Sequence, residues 1–184
     1  MDTYLCDIIV GLQNGFEGKT KAGINILKNN MYDLCIKVNG GVKNTPIIYN
    51  GKKIYLKEIP YSILFGINTL ISNSCIINLN NLLDDINVLK SLNISLEKLY
   101  ISTNAHIIQL QHINENKRNG NRDTCFPTYR DKYNKQGLEY GNLDYLEIVK
   151  YLDGNIISKV DSIDIINNAK KILMYQFYSF NYDI

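Results

Sequence analysis

The sequence predicts an α/β fold: a mixed, partly parallel central sheet with flanking helices. Three observations predict it. Short β-branched runs such as "CDIIV" and "KLYIS" have strand length and little polar alternation, as in strands buried on both faces. Between them lie stretches whose apolar residues recur at helical spacing. The two kinds of segment alternate along the chain, which favours a sheet with crossover helices. At 184 residues and 45% hydrophobic content, residues 1–184 are expected to form a single domain with a sizeable core.

In chain order, "YLCDIIVGL" (Tyr4–Leu12) reads as the first strand. Gly15 and Gly18 break it, and "KTKAGINILKNN" follows as a helix with Ile24, Leu27 and Met31 on one side. "DLCIKV" is a strand ending at Gly40-Gly41. Ile47, Ile48 and Tyr49, then Asn50-Gly51, then Ile54, Tyr55 and Leu56, form a hairpin signal. "NTLISNSCIINL" predicts two short strands around Ser72-Asn73, and "NNLLDDINVLKSL" a helix with Leu82, Leu83, Ile86 and Leu89 on one face. "KLYIS" (Lys98–Ser102) is a further strand, and "NKRNGNRDT" reads as a mobile polar loop. Helical patterns cover "YRDKYNKQG" and "LDYLEIVKYL", and the tail "DSIDIINNAKKILMYQFYSF" predicts a short helix followed by a strand.

Composition narrows the function classes. Net charge is +2, from 20 basic and 18 acidic residues, with no cationic block to track nucleic acid. Cys6, Cys35, Cys75 and Cys125 are widely spaced and predict buried free thiols in a reducing compartment rather than a metal site. Neither a signal peptide nor a membrane-spanning stretch is recognisable, so an intracellular protein with no membrane partner is expected. Heavy use of Ile, Asn, Lys and Tyr points to an AT-rich genome, such as that of a large DNA virus or a parasite.

The stretch "GLQNGFEGKTK" (Gly11–Lys21) joins the first strand to the first helix. A glycine turn opening a helix is how proteins hold phosphate: N–H groups point outward, the dipole is positive there, and a lysine adds charge. Gly18-Lys19-Thr20 matches the end of the G-x-x-x-x-G-K-[ST] loop, but its first position is Gln13, and no acidic strand end of the second nucleotidase motif follows. On this pattern alone the loop is either a phosphate cradle, as in a small P-loop nucleotidase, or a structural glycine turn.

A longer run of motifs resembles adenylosuccinate synthetase. "VGLQNGFEGKTK" is similar to that family's Gln-Trp-Gly-Asp-Glu-Gly-Lys-Gly-Lys loop, and "IKVNGG" to its strand ending in Gly-Gly. "YNGKKIYLKEIPYSIL", "NTLISNSCIINLNNLLDDINVL", "ISTNAHIIQLQH" and "FPTYRDKYNKQGLEYGNL" resemble later family segments in the same order. The resemblance is collinear over residues 1–143 and weak over 144–184, where a helical insertion between Leu152 and Asp161 reads as lost. It implies a P-loop-like core, GTP-dependent joining of aspartate to inosine monophosphate, and a homodimer or another protein partner. His106 and His112 are then packing or helix-surface positions.

The resemblance also locates what is missing. The family's loop Asp, which takes the purine proton and helps hold magnesium, falls on Phe16, and a phenyl ring does neither. Its Asn-Ala-Gly-His-Thr loop is replaced by "GGVKNTPIIYNG", in which Asn44 and Thr45 echo the substrate contacts but no His stands. Its Thr-Thr-Gly-Arg-Gly phosphate loop is absent between Arg118 and Pro127. The Arg that reaches a neighbouring subunit's substrate falls on Lys135, which keeps charge but loses the bidentate fork. Gly15, Glu17, Gly18, Lys19 and Lys21 survive, and Thr20 replaces a Gly. The expectation is a trimmed relative without catalytic residues or magnesium, retaining GTP as its candidate ligand and a binding, structural or assembly role. The rivals are a purine-nucleotide ligase or GTP-binding protein completed by a partner chain, and the small nucleotidase.

Overall fold

A computed structural model describes residues 5–11, 18–29, 31–40, 46–118, 125–155 and 157–175. The central sheet has six strands in the order β1-β10-β2-β5-β7-β9, and every neighbouring pair in it is parallel. These strands are β1 (Leu5–Ile9), β2 (Leu34–Lys37), β5 (Asn68–Ile71), β7 (Leu99–Ser102), β9 (Ser158–Val160) and β10 (Lys171–Tyr175). Among the described residues, antiparallel pairing occurs in a small hairpin of β3 (Ile47–Tyr49) and β4 (Lys52–Ile54) and in an isolated bridge between His106 and Glu139, and β6 (Ile76–Ile77) pairs in parallel with β8 (His106–Ile107).

Helices cover both faces of the inner strands, so side chains there alternate between two apolar layers rather than between core and water. On one face, Cys35 and Leu173 pack with Leu27 of α1 (Lys19–Asn29). Further along it, Ile71, Leu99 and Ile101 pack with Leu82, Ile86 and Leu89 of α2 (Leu79–Ser91). The opposite-facing residues Leu34, Ile36, Leu70 and Ile172 pack with Ile165 and Ile166 of α6 (Ser162–Asn167).

Local chemistry sets the element ends. Asn50 (φ 48°) and Gly51 (φ 74°) both sit in the left-handed region, the geometry a two-residue hairpin turn requires. Asn78 caps α2 by accepting from the Asn80 and Asn81 N–H groups. Asp144 and Glu147 form a reciprocal capping box that starts α5 (Tyr145–Tyr151).

Three expectations need correction. Helix α1 stops at Asn29, so Met31 is not on its apolar face and is 89% exposed. The polar segment expected to begin a loop at Asn116 is still helical, because α3 (Leu110–Arg118) runs through it and buries Asn116. Burial of all four cysteines also fails: Cys35 and Cys75 are buried, but Cys125 is half-buried and Cys6 lies exposed on the outermost strand. The tail is as expected, a short helix (α6) followed by a strand (β10). Among the described residues, no helix is long and apolar enough to cross a membrane.

Candidate functional site

The carboxyl ends of parallel strands are where α/β sheets hold ligands, because loops diverge there and helix N-termini point inward. In this chain those ends carry a cleft of about 210 Å³ between Ile8 and Ile9 of β1, with Val10 just beyond it, and Val38 and Asn39 after β2. Ser74, Tyr129 and Tyr133 complete its lining. Tyr129 and Tyr133 belong to α4 (Cys125–Tyr133), whose Pro127 sits in the first turn, where a missing N–H costs no helix bond. Their rings stack at 6.1 Å and 20°, with Tyr133 74% exposed at the rim.

Tyr129 fixes the floor of this cleft. Its hydroxyl accepts a 2.7 Å hydrogen bond from the Gly40 N–H and donates to the Ser74 carbonyl at 3.5 Å. Burial pushes the phenol well above its ordinary pKa, so it stays neutral and keeps its proton to donate. Gly40 must be glycine: a Cβ there would lie 2.2 Å from Ile76 Cγ1 and under 3 Å from the Ile76 backbone. That close approach is what the first glycine of the pair after the second strand serves. The Ser74 hydroxyl donates to the Val38 carbonyl, tying the turn after β5 to the end of β2.

Beside the cleft lies a buried ionic cluster that no motif marks in advance. Lys37 Nζ donates to the Glu58 carboxylate at 3.0 Å and to the Glu58 carbonyl at 2.9 Å, with both side chains excluded from water. Burial acts to depress the Lys37 ammonium, but the Glu58 carboxylate and the nearby Cys75 outweigh it, and its pKa rises. Asp85 of α2 accepts from the backbone N–H groups of Lys57, Glu58 and Ile59, so one side chain shapes the segment that presents Glu58. Burial pushes the Asp85 carboxyl up to about 6, against the pull of those hydrogen bonds.

Two further contacts anchor α4. Lys132 reaches back to the Asn73 carbonyl, to the Asn104 carbonyl at 3.4 Å and to His106 Nδ1 at 3.2 Å, clamping two strand-end turns together. His112 is buried on α3 and bonds Asp131 through Nε2 at 3.0 Å. That bond is the chief reason the Asp131 carboxyl lies below its usual range. Both histidines therefore serve packing and anchoring, although His112 is buried rather than on the helix surface.

The residues singled out in the sequence are only partly brought together. Gly18 (φ 79°) directly precedes α1, and Gly18 and Lys21 line an open hollow with Lys28 along the outer side of that helix. Lys19 and Thr20 are buried in the first turn, at 7% and 9% exposure, so the two loop lysines differ: Lys21 is exposed and Lys19 is not. Lys135 is exposed just beyond α4, with φ 58°. Gly15, Phe16, Glu17, Asn44 and Thr45 lie outside the described residues. Among the described residues, no group of three or more His, Cys, Asp or Glu side chains is placed to hold a metal ion.

Comparison with known proteins agrees with this architecture. The model of the adenylosuccinate synthetase family matches residues 8–176. The adenylosuccinate synthetase of Mycoplasma mycoides subsp. mycoides is 32% identical over 203 residues, covering 98% of this chain and 46% of that protein. That of Renibacterium salmoninarum is 38% identical over 107 residues, covering 57% of this chain and 24% of that protein. Among solved structures, the cyanophage S-2L succinoaminodeoxyadenylate synthetase, bound to dGMP and to dATP as an energy donor, superposes with a TM-score of 0.74 at 18% identity. It covers 94% of this chain and 51% of that one. The fully ligated adenylosuccinate synthetase of Plasmodium falciparum superposes at 0.68 and 23% identity, covering 93% and 50%. At these identities the superpositions speak for the fold. The chain spans about half or less of the length of these relatives. With residues 8–176 matched by the family model, the chain belongs to the adenylosuccinate synthetase family.

Proposed function

We propose that this chain is a family member without turnover, which keeps a purine-nucleotide or phosphate cradle and acts by binding or assembly. The observation that carries this reading is Phe16, at the position the resemblance gives to the proton-abstracting and magnesium-holding Asp. A positioned general base contributes roughly 10²–10⁴ in rate, and electrostatic clamps contribute comparably. Residues 41–45, "GVKNT", offer no His to replace the second catalytic group, and the phenyl ring offers no oxygen to a hard cation. Magnesium therefore does not fit the residues present at that position.

What supports retained binding is the strand–turn–helix frame itself. Gly18 adopts φ 79° immediately before α1, Lys19 and Thr20 form its first turn, and the cleft opens at the neighbouring strand ends. A phosphate there would meet helix N–H groups and the positive end of the dipole. Calorimetry with GTP, inosine monophosphate, dGMP and dATP, each with and without magnesium, tests the reading. The expected result is magnesium-independent binding of at least one nucleotide, weakened by Lys21→Ala, with no phosphate release when inosine monophosphate and aspartate are added. Phosphate release dependent on inosine monophosphate would overturn the loss of turnover, and silence from every ligand would overturn the binding role.

A second reading is a ligase completed by another polypeptide. It is favoured by one observation: the chain corresponds to 46% of the Mycoplasma mycoides relative, so substrate contacts made elsewhere in such a protein have no counterpart within these residues.

A further inference from the structure

Helix α4 is held at its C-terminal end by a contact that only one protonation state satisfies. His106 Nδ1 lies 3.0 Å from the Asn104 carbonyl and 3.2 Å from Lys132 Nζ, and Lys132 also reaches the Asn104 carbonyl at 3.4 Å. An ammonium can only donate, so the geometry is satisfied when Nδ1 is bare and accepts from Lys132. The remaining Lys132 N–H groups then serve the Asn73 and Asn104 carbonyls. The ring itself is fixed. The Cys75 carbonyl accepts from the His106 backbone N–H at 3.1 Å, and a Cβ on Gly137 would fall 2.4 Å from His106 Cδ2.

Protonation reverses the sign of this contact. An imidazolium Nδ1–H donates to the Asn104 carbonyl and then faces the Lys132 ammonium across 3.2 Å with like charge. Of the two cations, His106 is 6% exposed and pinned, whereas half-buried Lys132 has a flexible stem that can swing to water. The other ionisable groups acting on this pair are Glu139, which accepts from Asn104 Nδ2 at 3.3 Å, and Cys75. Burial and Lys132 hold the His106 imidazole below its ordinary pKa of 6.5, against the pull of the Asn104 carbonyl and Glu139. Burial likewise holds the Lys132 ammonium below its usual range, against Cys75 and Glu139.

We propose that His106 and Lys132 form an acid-released latch on α4. A neutral His106 keeps Lys132 bridged to the turns after β5 and β7, and protonation expels Lys132 and frees the C-terminal end of the helix. That end carries Tyr133 of the cleft lining and leads into Lys135, so the latch governs one wall of the candidate site. The latch belongs to the fold and is independent of nucleotide binding. The unfolded chain takes up the His106 proton more readily than the folded one, so the latch contributes fully above pH 6.5 and is lost as pH falls. Asp85 acts with the opposite sign in the same range, which makes a local measurement necessary.

The test is amide exchange of the full chain from about pH 7.5 to about pH 4.5, corrected for the intrinsic rate, beside an NMR titration of its two histidine rings. The expected result is a loss of protection over 130–135 of at least about fivefold that follows the His106 titration, while β5 and β7 keep theirs. In His106→Asn, whose Oδ1 takes the place of Nδ1 but accepts no proton, the step disappears. In Lys132→Met the same amides are poorly protected at every pH, and the His106 midpoint rises. His112 also anchors α4, through Asp131, so a step that persists in His106→Asn belongs to His112 and overturns the proposal. Protection over 130–135 that ignores the His106 titration overturns it too, as does a His106 midpoint unmoved by Lys132→Met. The protection profile and the His106 titration are both read in the unaltered chain, so the outcome is decided even where a variant does not fold.

Discussion

Replacing Lys37 by methionine leaves the Glu58 carboxylate in a site where its side chain is 1% exposed, with the Asn78 N–H as a remaining hydrogen-bond donor at 3.2 Å. The lost contacts include two Lys37 Nζ bonds, to the Glu58 carboxylate and to the Glu58 carbonyl. Removing one member of a fully buried, hydrogen-bonded ion pair costs about 3–5 kcal/mol, because the surviving charge keeps its desolvation penalty. Against a total stability of about 5–15 kcal/mol, that is a large fraction. With a urea m value of about 2 kcal/mol/M, the midpoint falls by roughly 1.5–2.5 M at constant m, read by circular dichroism at pH 7. The double variant Lys37→Met/Glu58→Met removes both charges and should recover at least about half of the loss, since apolar replacement of a whole buried pair is often near neutral. A Lys37→Met midpoint within about 0.5 M of the parent, or a double variant as unstable as the sum of the singles, would refute the reasoning.

Gly40→Ala should lower the melting temperature by about 6–12 °C, because the new Cβ meets Ile76 side chain and backbone and the strain is of order 3 kcal/mol. Gly23→Ala is its control: the Cβ there lies an ordinary 3.5 Å from Ile9 Cδ1, so the melting temperature should hold or rise. Asp85 gives a pH signature of definite sign. Its folded pKa of about 6 stands above the ordinary 3.8, so the folded chain holds that proton more tightly and stability falls as pH rises through that window. The effect is at most about 3 kcal/mol, and Asp85→Asn should flatten it in urea titrations across pH 4–6.5. Identical pH profiles for the two proteins would show that Asp85 does not titrate there.

Much of the architecture was legible because it is written in local patterns. Asn50-Gly51 between apolar runs demands a tight hairpin, and Leu82, Ile86 and Leu89 can share a face only in a helix. The polar part of α3 was not legible, because Asn116 is buried by tertiary packing that periodicity does not report. The family motifs marked "IKVNGG" and "FPTYRDK", yet nothing local says that the Gly40 N–H and the Tyr129 hydroxyl meet across 89 residues. The Lys37–Glu58 pair was hidden for a related reason. A lysine in a strand reads as a residue turned to water, and only a carboxylate brought in by an Asp85-tethered segment makes its burial tolerable.

The position of β10 bears on how the chain is made. This strand, at residues 171–175, lies between β1 and β2, so the first two strands synthesised have no hydrogen-bonded contact with each other. Among the described residues β1 pairs with β10 alone, so that pairing must wait for most of the chain to be translated. Closing a parallel pairing across so long a separation is intrinsically slow, and an apolar strand waiting for its partner is exposed to aggregation meanwhile. A premature stop before Lys171 would do more than shorten the protein: it would split the sheet in two.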